Sequence, residues 1–498
     1  MTPTGQRSSD LVHLTAHILH PDASRVVAKT FLPGQEFLTQ GNSRATAVLE
    51  RAMSLTEDEV ERLLERMIES FDHRHRDLTD MLEARFVLVA HRLDDPDALS
   101  RARRQLIGGF FTQEYAVEAA ALFNPSMVAH PDQSGLEPGS TRFVMSLRGV
   151  GEGHISSVQF RTGVIDAHDV VELDRPRGTT VLPTAVPTAF SKAIFAFQLD
   201  ELVDDQGSAQ YVLESLPEVF GRAELDAAIA SLRDQGLTRG SGTTAIDQIE
   251  WIAACNYSME FAADTVLDER VIIPTGPSES HGLEDVRLVK FTDIDGAVDY
   301  RGTYTAFDGY RVVPQIMRTV DFRTFDITQL SGPAAKDKGM AMFPRQVNGT
   351  YFALSRWDRE NNTLASSRDM LFWEEAGTLQ TPRQAWEMVQ VGNCGPPIET
   401  DAGWLVLTHG VGPMRQYSIG AMLLDLEDPR VVLGRLVRPL ISPSADDRDG
   451  YVPNVVYSCG SMRHGNRIVL PYGVDDSTIR VAIVDLDGLL TLLLPRTG

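Results

Sequence analysis

The chain has little that would staple it together or anchor it. Among its 498 residues are three cysteines, Cys255, Cys394 and Cys459, far apart and forming no CxxC pair. An odd, scattered set of this kind argues against a disulfide framework and against a structural zinc site. The twelve histidines do not cluster at ligand spacing, so no metal is expected. No apolar run reaches the ~18 residues of a membrane span, and the opening stretch MTPTGQRSSDLVHLT has no apolar core of signal-peptide length. The expected setting is therefore the cytoplasm. Positive charge is also short: 46 Lys and Arg stand against 69 Asp and Glu, a net charge of −23. A surface this acidic repels phosphate backbones and anionic lipid, so neither nucleic acid nor a membrane is expected as a partner. A small anion held in a local basic pocket is not excluded.

Hydrophobic residues make up 43% of the chain and charged residues 23%, as expected of a globular protein able to bury a large core. The character changes near residue 115. Residues 1–115 read as a mainly helical extension. Thr56 can cap the run EDEVERLLERMIESF, whose Val60, Leu63, Leu64, Met67 and Ile68 fall at helical spacing. The runs LTDMLEARFVLVAHRL and DPDALSRARRQLIGGFF follow. No catalytic cluster lies here, so the helices are expected to serve packing or homo-oligomerisation. Residues 116–498 read instead as short strands and turns. VNGTYF, TDAGWLVL, HGNRIVL and IDGAVDY carry hairpin signals.

One pattern recurs five times, at 124–163, 283–322, 342–373, 395–426 and 451–486. Repeats of ~40–60 residues with about four strands each predict a β-propeller, here five-bladed, on an all-β core. A β-sandwich with similar hairpins explains less well why a polar residue falls at or near the end of the second strand each time. Those residues are Arg148, Asp308, Arg356, His409 and Asp476. Converging polar groups suit a polyhydroxylated ligand, which needs directional hydrogen bonds. Residues 167–281 interrupt the first two units. Their stretches LPEVFGRAELDAAIASLRDQG and TAIDQIEWIAACNYSMEFAADTVL look helical, so the segment reads as an insertion.

HGLEDVRLVKF at 281–291 followed by YTAFDG at 304–309 resembles glycoside hydrolase family 130. Further stretches match it in the same order: KGMAMFPRQVNGTYFALSR at 338–356, PPIETDAGWLVLTHGV at 396–411, YSIGAMLLDLEDP at 417–429, VPNVVYSCG at 452–460 and PYGVDDSTIRVA at 471–482. The resemblance covers roughly 120–165 and 280–498, leaving out the helical extension and the insertion. It implies a five-bladed propeller and an inverting phosphorylase of β-mannosides, or a β-mannosidase.

Glycoside cleavage needs a proton for the leaving oxygen and a nucleophile on the other face of the sugar. The resemblance puts Asp285 at the position of the catalytic acid, which in the family passes its proton through a hydroxyl of the mannosyl ring. A structural ion pair with Arg287 is the plainer alternative. Lys338 and Arg356 match phosphate-binding positions, His409 and Tyr417 match positions lining the same site, and Arg345 in FPRQ is a further candidate cation. A phosphorylase needs such cations because its nucleophile is an anion. It needs no cofactor, only inorganic phosphate as co-substrate. For sugar binding the candidates are Asn124, Arg148, Ser156, Asp308 and Asp476. There is one departure: Gln390 stands where many family phosphorylases carry a lysine, and Asn393 is the neutral donor expected to compensate. Three readings therefore stay open. A phosphorylase would release α-mannose 1-phosphate and a shortened sugar. A hydrolase would need a second carboxylate, with Asp308 and Asp358 as candidates. A non-catalytic propeller would only bind sugar.

Overall fold

Strands that cross the middle of a sheet read as apolar runs, and outer strands as polar ones. The computed structural model follows this rule and describes residues 8–33, 44–234, 241–444 and 449–494. Gly403–Val411 (GWLVLTHGV) is buried along its whole length, whereas the outer strand Glu374–Gln380 carries its charged Glu374 and Glu375 in solvent.

Five antiparallel units follow one another along the chain. The first holds Ala121–Ala129, Thr141–Val150 and Ser156–Ile165; the second Gly282–Thr292, Val298–Phe307, Val312–Thr319 and Thr324–Gln329. The third runs from Ala341 to Gln380, the fourth from Gln390 to Arg435. The fifth pairs Val456–Tyr457 and Met462–His464 with Arg467–Val474, and that strand with Thr478–Asp485. The first two units join into one ten-stranded sheet through the parallel pairing of Gly282 with Ser156. The core is thus all-β, with apolar clusters between adjacent units, such as Leu405, Leu407 and Ile419 of the fourth against Leu470 and Val484 of the fifth.

The extension is helical as expected, with Arg44–Met53, Glu57–Phe71, Leu78–Ala90 and Arg101–Phe110. Thr56 accepts from the Glu59 amide while Glu59 reaches back to the Thr56 amide, a closed capping box. The last two helices touch so closely at Gly108 that a Cβ there would lie 1.9 Å from the Leu82 carbonyl oxygen. The extension also holds strands that the sequence reading left out. Val26–Thr30 pairs with Thr112–Ala116, and Val12–Leu19 pairs antiparallel with Thr478–Asp485 and so completes the fifth unit. Arg25 and Arg161 clasp Glu118 at 2.9 and 2.7 Å, all three buried, tying the extension to the first unit.

The insertion packs the helices Lys192–Leu202, Gln206–Glu214, Arg222–Asp234 and Ser241–Ala254 around Phe195, Phe220 and Ile249. The helical reading of 244–267 is corrected beyond Ala254. Asn256 ends the helix, its Nδ2 donating to the Ile252 carbonyl at 2.7 Å while its Oδ1 accepts from the Gln329 amide at 3.0 Å. That second bond docks the next residues on a sheet, and Tyr257–Glu260 becomes a strand beside Thr324–Gln329.

Candidate active site

Two β-bulges build the site. Regular pairing breaks between Phe123 and Ser126 on one strand and between Glu284 and Arg287 on another. In each break a residue takes left-handed backbone, Asn124 with φ 49° and Asp285 with φ 59°. Such conformations cost energy for residues other than glycine and recur where a side chain is re-aimed. Here they bring the two side chains together: Asn124 Nδ2 donates to Asp285 Oδ1 at 2.7 Å.

Cations close around this pair. Arg148 donates through Nη1 to Asp285 Oδ1 at 3.2 Å and through Nη2 to Glu284 Oε1 at 2.7 Å. Lys338 donates to the other Glu284 oxygen. Arg287 does not pair with the Asp285 carboxylate. It bonds that residue's backbone carbonyl at 2.9 Å and the Tyr457 hydroxyl at 2.7 Å, buried behind the site. Arg356 Nη1 lies 3.3 Å from His409 Nε2, and His409 Nδ1 lies 3.1 Å from the Asn393 carbonyl. The neutral tautomer that fits donates from Nδ1 and accepts at Nε2. Burial, reinforced by the Arg356 charge, pushes the His409 pKa down to about 3, so the ring is neutral at physiological pH. The Tyr417 ring stacks on His409, with centroids 5.9 Å apart.

Together Asn124, Arg148, Asp285, Lys338, Arg356, His409, Tyr417 and Asp476 line one cavity of about 180 Å³, with Phe123, Gln390, Arg415, Val455 and Tyr457. Larger cavities, of about 400 and 710 Å³, lie against the helical insertion and beside the strand Val12–Leu19. We favour the smaller one because pocket chemistry counts for more than volume, and its wall gathers Arg148, Lys338, Arg356 and Arg415 around Asp285 and Asp476, together with His409 and Tyr417. Asn124 Oδ1, Arg148 Nε and Arg356 Nε are buried there without a hydrogen-bond partner among the described residues.

The two carboxylates differ. Burial opposes ionisation of Asp285, but Arg148, Arg287 and Lys338 and the Asn124 hydrogen bond outweigh it and hold its pKa below the usual carboxylate value. At Asp476 the balance is reversed, because the Arg148 and Arg415 charges that pull its pKa down are outweighed. Burial first, and then the Asp285 charge, push its pKa up to about 7.

Five of the expected residues lie elsewhere. Arg345 pairs with Glu399 at 2.6 Å and stacks on Trp404, away from the cavity. Ser156 is buried and donates to the Leu283 carbonyl at 2.9 Å. Asp308 accepts from the Tyr310 and Arg311 amides at 2.8 and 2.6 Å, so it caps the turn after its strand. Asn393 sits behind the wall, donating to the Gly339 carbonyl at 2.6 Å and accepting from Arg287. Asp358 also caps a turn, accepting from the Glu360 and Asn361 amides. Cys394 is buried and its thiol is pushed up to about 12, chiefly by burial, so it is no nucleophile. Of the polar wall residues, the sequence reading missed two, Tyr457 and Arg415. Tyr457 sits inside the matched stretch VPNVVYSCG and could have been found there, while Arg415 lies in a turn between two matched stretches.

An all-β core with carboxylates and cations converging on one cavity defines a protein built to bind and process a polyhydroxylated or anionic ligand. Residues 257–494 match the family model described as beta-1,4-mannooligosaccharide phosphorylase. A 1,2-beta-oligomannan phosphorylase of Thermoanaerobacter sp. (strain X514) is 35% identical over 228 residues, 44% of this chain and 74% of that one. A beta-1,2-mannobiose phosphorylase of Listeria innocua is 31% identical over 221 residues, 43% of this chain and 61% of that one. The solved beta-1,2-mannobiose phosphorylase from Listeria innocua is also similar, at 21% identity and a TM-score of 0.43, over 76% of this chain and 93% of that one. The chain belongs to glycoside hydrolase family 130.

Proposed function

We propose that the protein is an inverting β-mannoside phosphorylase, acting on a β-mannoside or β-manno-oligosaccharide. The observation that carries this reading is the arrangement of one cavity. Asp285 faces it beside Asn124 and Arg148, and Lys338, Arg356 and neutral His409 line the same space. A phosphate oxygen attacks the anomeric carbon, the bond from that carbon to the leaving oxygen breaks, and the leaving oxygen takes a proton that starts on Asp285. The products are α-mannose 1-phosphate and a shortened sugar. Lys338 and Arg356 hold the phosphate, Arg356 as a planar fork and Lys338 as a point charge. Tyr417 and His409 pack beside them. Asn124, Arg148 and Asp476 take sugar hydroxyls.

Asp285 is ionised without phosphate, because cations surround it. Phosphate arriving beside Lys338 adds negative charge and raises the Asp285 pKa, so protonation of the acid is coupled to arrival of the nucleophile. The five sheet units serve as five propeller blades, with the second strands delivering Arg148, Arg356, His409 and Asp476 to the axis. Residues 116–498 form the catalytic domain, 167–281 its insertion, and the strand Val12–Leu19 of the extension completes the fifth blade.

The relatives carry β-1,2 names and the family model a β-1,4 name, so the test uses β-1,2-, β-1,3- and β-1,4-mannobiose with and without inorganic phosphate. The expected result is mannose 1-phosphate that forms only with phosphate. The neutral Gln390 in the wall favours one second reading, a β-mannosidase. Free mannose released at the same rate without phosphate would establish that reading and remove the phosphate role from Lys338 and Arg356.

A further inference from the structure

Gln390 leaves the phosphate side of the cavity one cation short of the pattern that many family phosphorylases carry. The fourth sheet unit shows what stands beside it. Gln390 pairs with Val411, and Val411 pairs with Tyr417 on its other side, so the three residues form one row across the sheet. The chain leaves that row through a turn, Pro413–Arg415, and returns at Tyr417. Met414 and Arg415 both take left-handed backbone, with φ of 57° and 55°. Two successive non-glycine residues in that region are costly, and such strain collects where surrounding structure holds a side chain for use.

The turn is fixed rather than loose. The Gly412 amide donates to the Gln416 carbonyl at 2.9 Å, and the Gln416 amide to the Pro413 carbonyl at 3.2 Å. A Cβ on Gly412 would come within 3.1 Å of Trp386, so the turn sits against the segment Ala385–Glu387. Of the two strained residues, Met414 is 88% exposed and Arg415 lines the cavity. The Arg415 guanidinium lies 6.0 Å from the Tyr417 ring, and Tyr417 stacks on the His409 that meets Arg356. The other cavity cations are engaged: Arg148 and Lys338 with Glu284, and Arg356 with Asp337 at 3.7 Å. Arg415 has no ion-pair partner among the described residues. Its fork therefore reaches an incoming anion without first breaking a salt bridge.

We infer that Arg415, held by the strained turn between two strands of the fourth unit, supplies the phosphate-binding cation that Gln390 does not. The inference rests on the phosphorylase reading for its catalytic meaning, but phosphate binding tests it separately. Inorganic phosphate is titrated calorimetrically into the wild-type, R415A and R415K proteins, and steady-state constants for phosphate and for the mannobiose are measured alongside. R415A is expected to bind phosphate about tenfold or more weaker, the loss of one charge-assisted contact. Its KM for phosphate rises in step, while kcat at saturating phosphate and KM for the mannobiose stay within about twofold. R415K recovers part of the affinity, and Q390K in the R415A background restores it by returning a cation to the neighbouring position. Unchanged phosphate affinity in R415A, with phosphate-dependent turnover intact, overturns the Arg415 assignment and leaves the phosphorylase reading standing. A raised KM for the mannobiose alone also overturns it, placing Arg415 on the sugar side near Asp476. Turnover without phosphate overturns the phosphorylase reading, while weaker phosphate binding by R415A would still uphold the anion site.

Discussion

At the scale of single residues, the site turns on two carboxylates in different environments. Asp285 is held ionised by cations and a hydrogen bond, whereas at Asp476 burial and the Asp285 charge outweigh the pull of Arg148 and Arg415. Environments that push two acids apart are how one cavity comes to hold both an ionised and a protonated carboxyl near neutral pH. Asp285→Asn keeps the shape but removes the proton source, so kcat is expected to fall by about 10²–10⁴-fold, read by mannose 1-phosphate release. Asp476 makes a prediction about stability. Its folded pKa, about 7, lies above the ordinary 3.8, so the native state binds its proton more tightly than the unfolded state does. Between these values the native state carries the extra proton, and stability falls as pH rises through the window. The penalty is absent below about pH 4 and complete above about pH 7. Asp476→Asn should therefore raise Tm at pH 8 and leave it nearly unchanged at pH 4, while weakening sugar binding. An equal Tm change at both pH values would show that Asp476 is not destabilised by ionisation.

At the scale of elements, legibility followed the period of the chain. The matched stretches lie on strands and strand ends. Asn124, Arg148, Asp285, Lys338, Arg356, His409, Tyr417 and Asp476, drawn from all five units or their connections, meet in one cavity. Asp308 occupies the equivalent strand-end position, yet it precedes Gly309, and an Asp-Gly pair after a strand is itself a turn signal. Its carboxylate closes that turn instead of facing the cavity. Arg345 was drawn away by Glu399, a partner 54 residues on that no local pattern announces. Arg415 was hidden because its placement depends on an irregular turn, and turns are poorly encoded in hydrophobic pattern. The strand Tyr257–Glu260 was hidden because its helical-looking run continues through Asn256, and only the tertiary bond from Gln329 shows where the helix stops. Asn256→Ala tests that account. It leaves the buried Gln329 amide and Gln198 side chain without their partner, at a cost of about 1–3 kcal/mol. The expected outcome is a lower denaturation midpoint with little change in KM, since Asn256 does not line the cavity. Unchanged stability would mean that the helix end and the strand hold without it.

At the scale of the whole molecule, the strand Val12–Leu19 lies along Thr478–Asp485, hundreds of residues later in the chain. Leu11 packs into the cluster that joins the fourth and fifth units, with Val484, Leu486 and Leu489. The sheet thereby gains an outer strand without exposing the Thr478–Asp485 edge, whose free amides and carbonyls would otherwise template pairing between molecules. The fifth unit also supplies Tyr457 and Asp476 to the cavity, so its order bears on the site. Contacts closed across so long a loop form late and are expensive to lose, because they depend on the rest of the core being in place. Removing residues 1–20 should lower Tm by several degrees and produce soluble aggregates on size-exclusion chromatography. Residual activity should fall with incubation time rather than at the outset, because the cavity residues themselves remain. Replacing only the strand's outward Leu14 and Ile18 with threonine keeps the backbone pairing and should leave Tm nearly unchanged. A truncated protein that keeps the wild-type elution position and Tm would show that Thr478–Asp485 needs no neighbour, and that the strand is an ornament of the fifth unit rather than its closure.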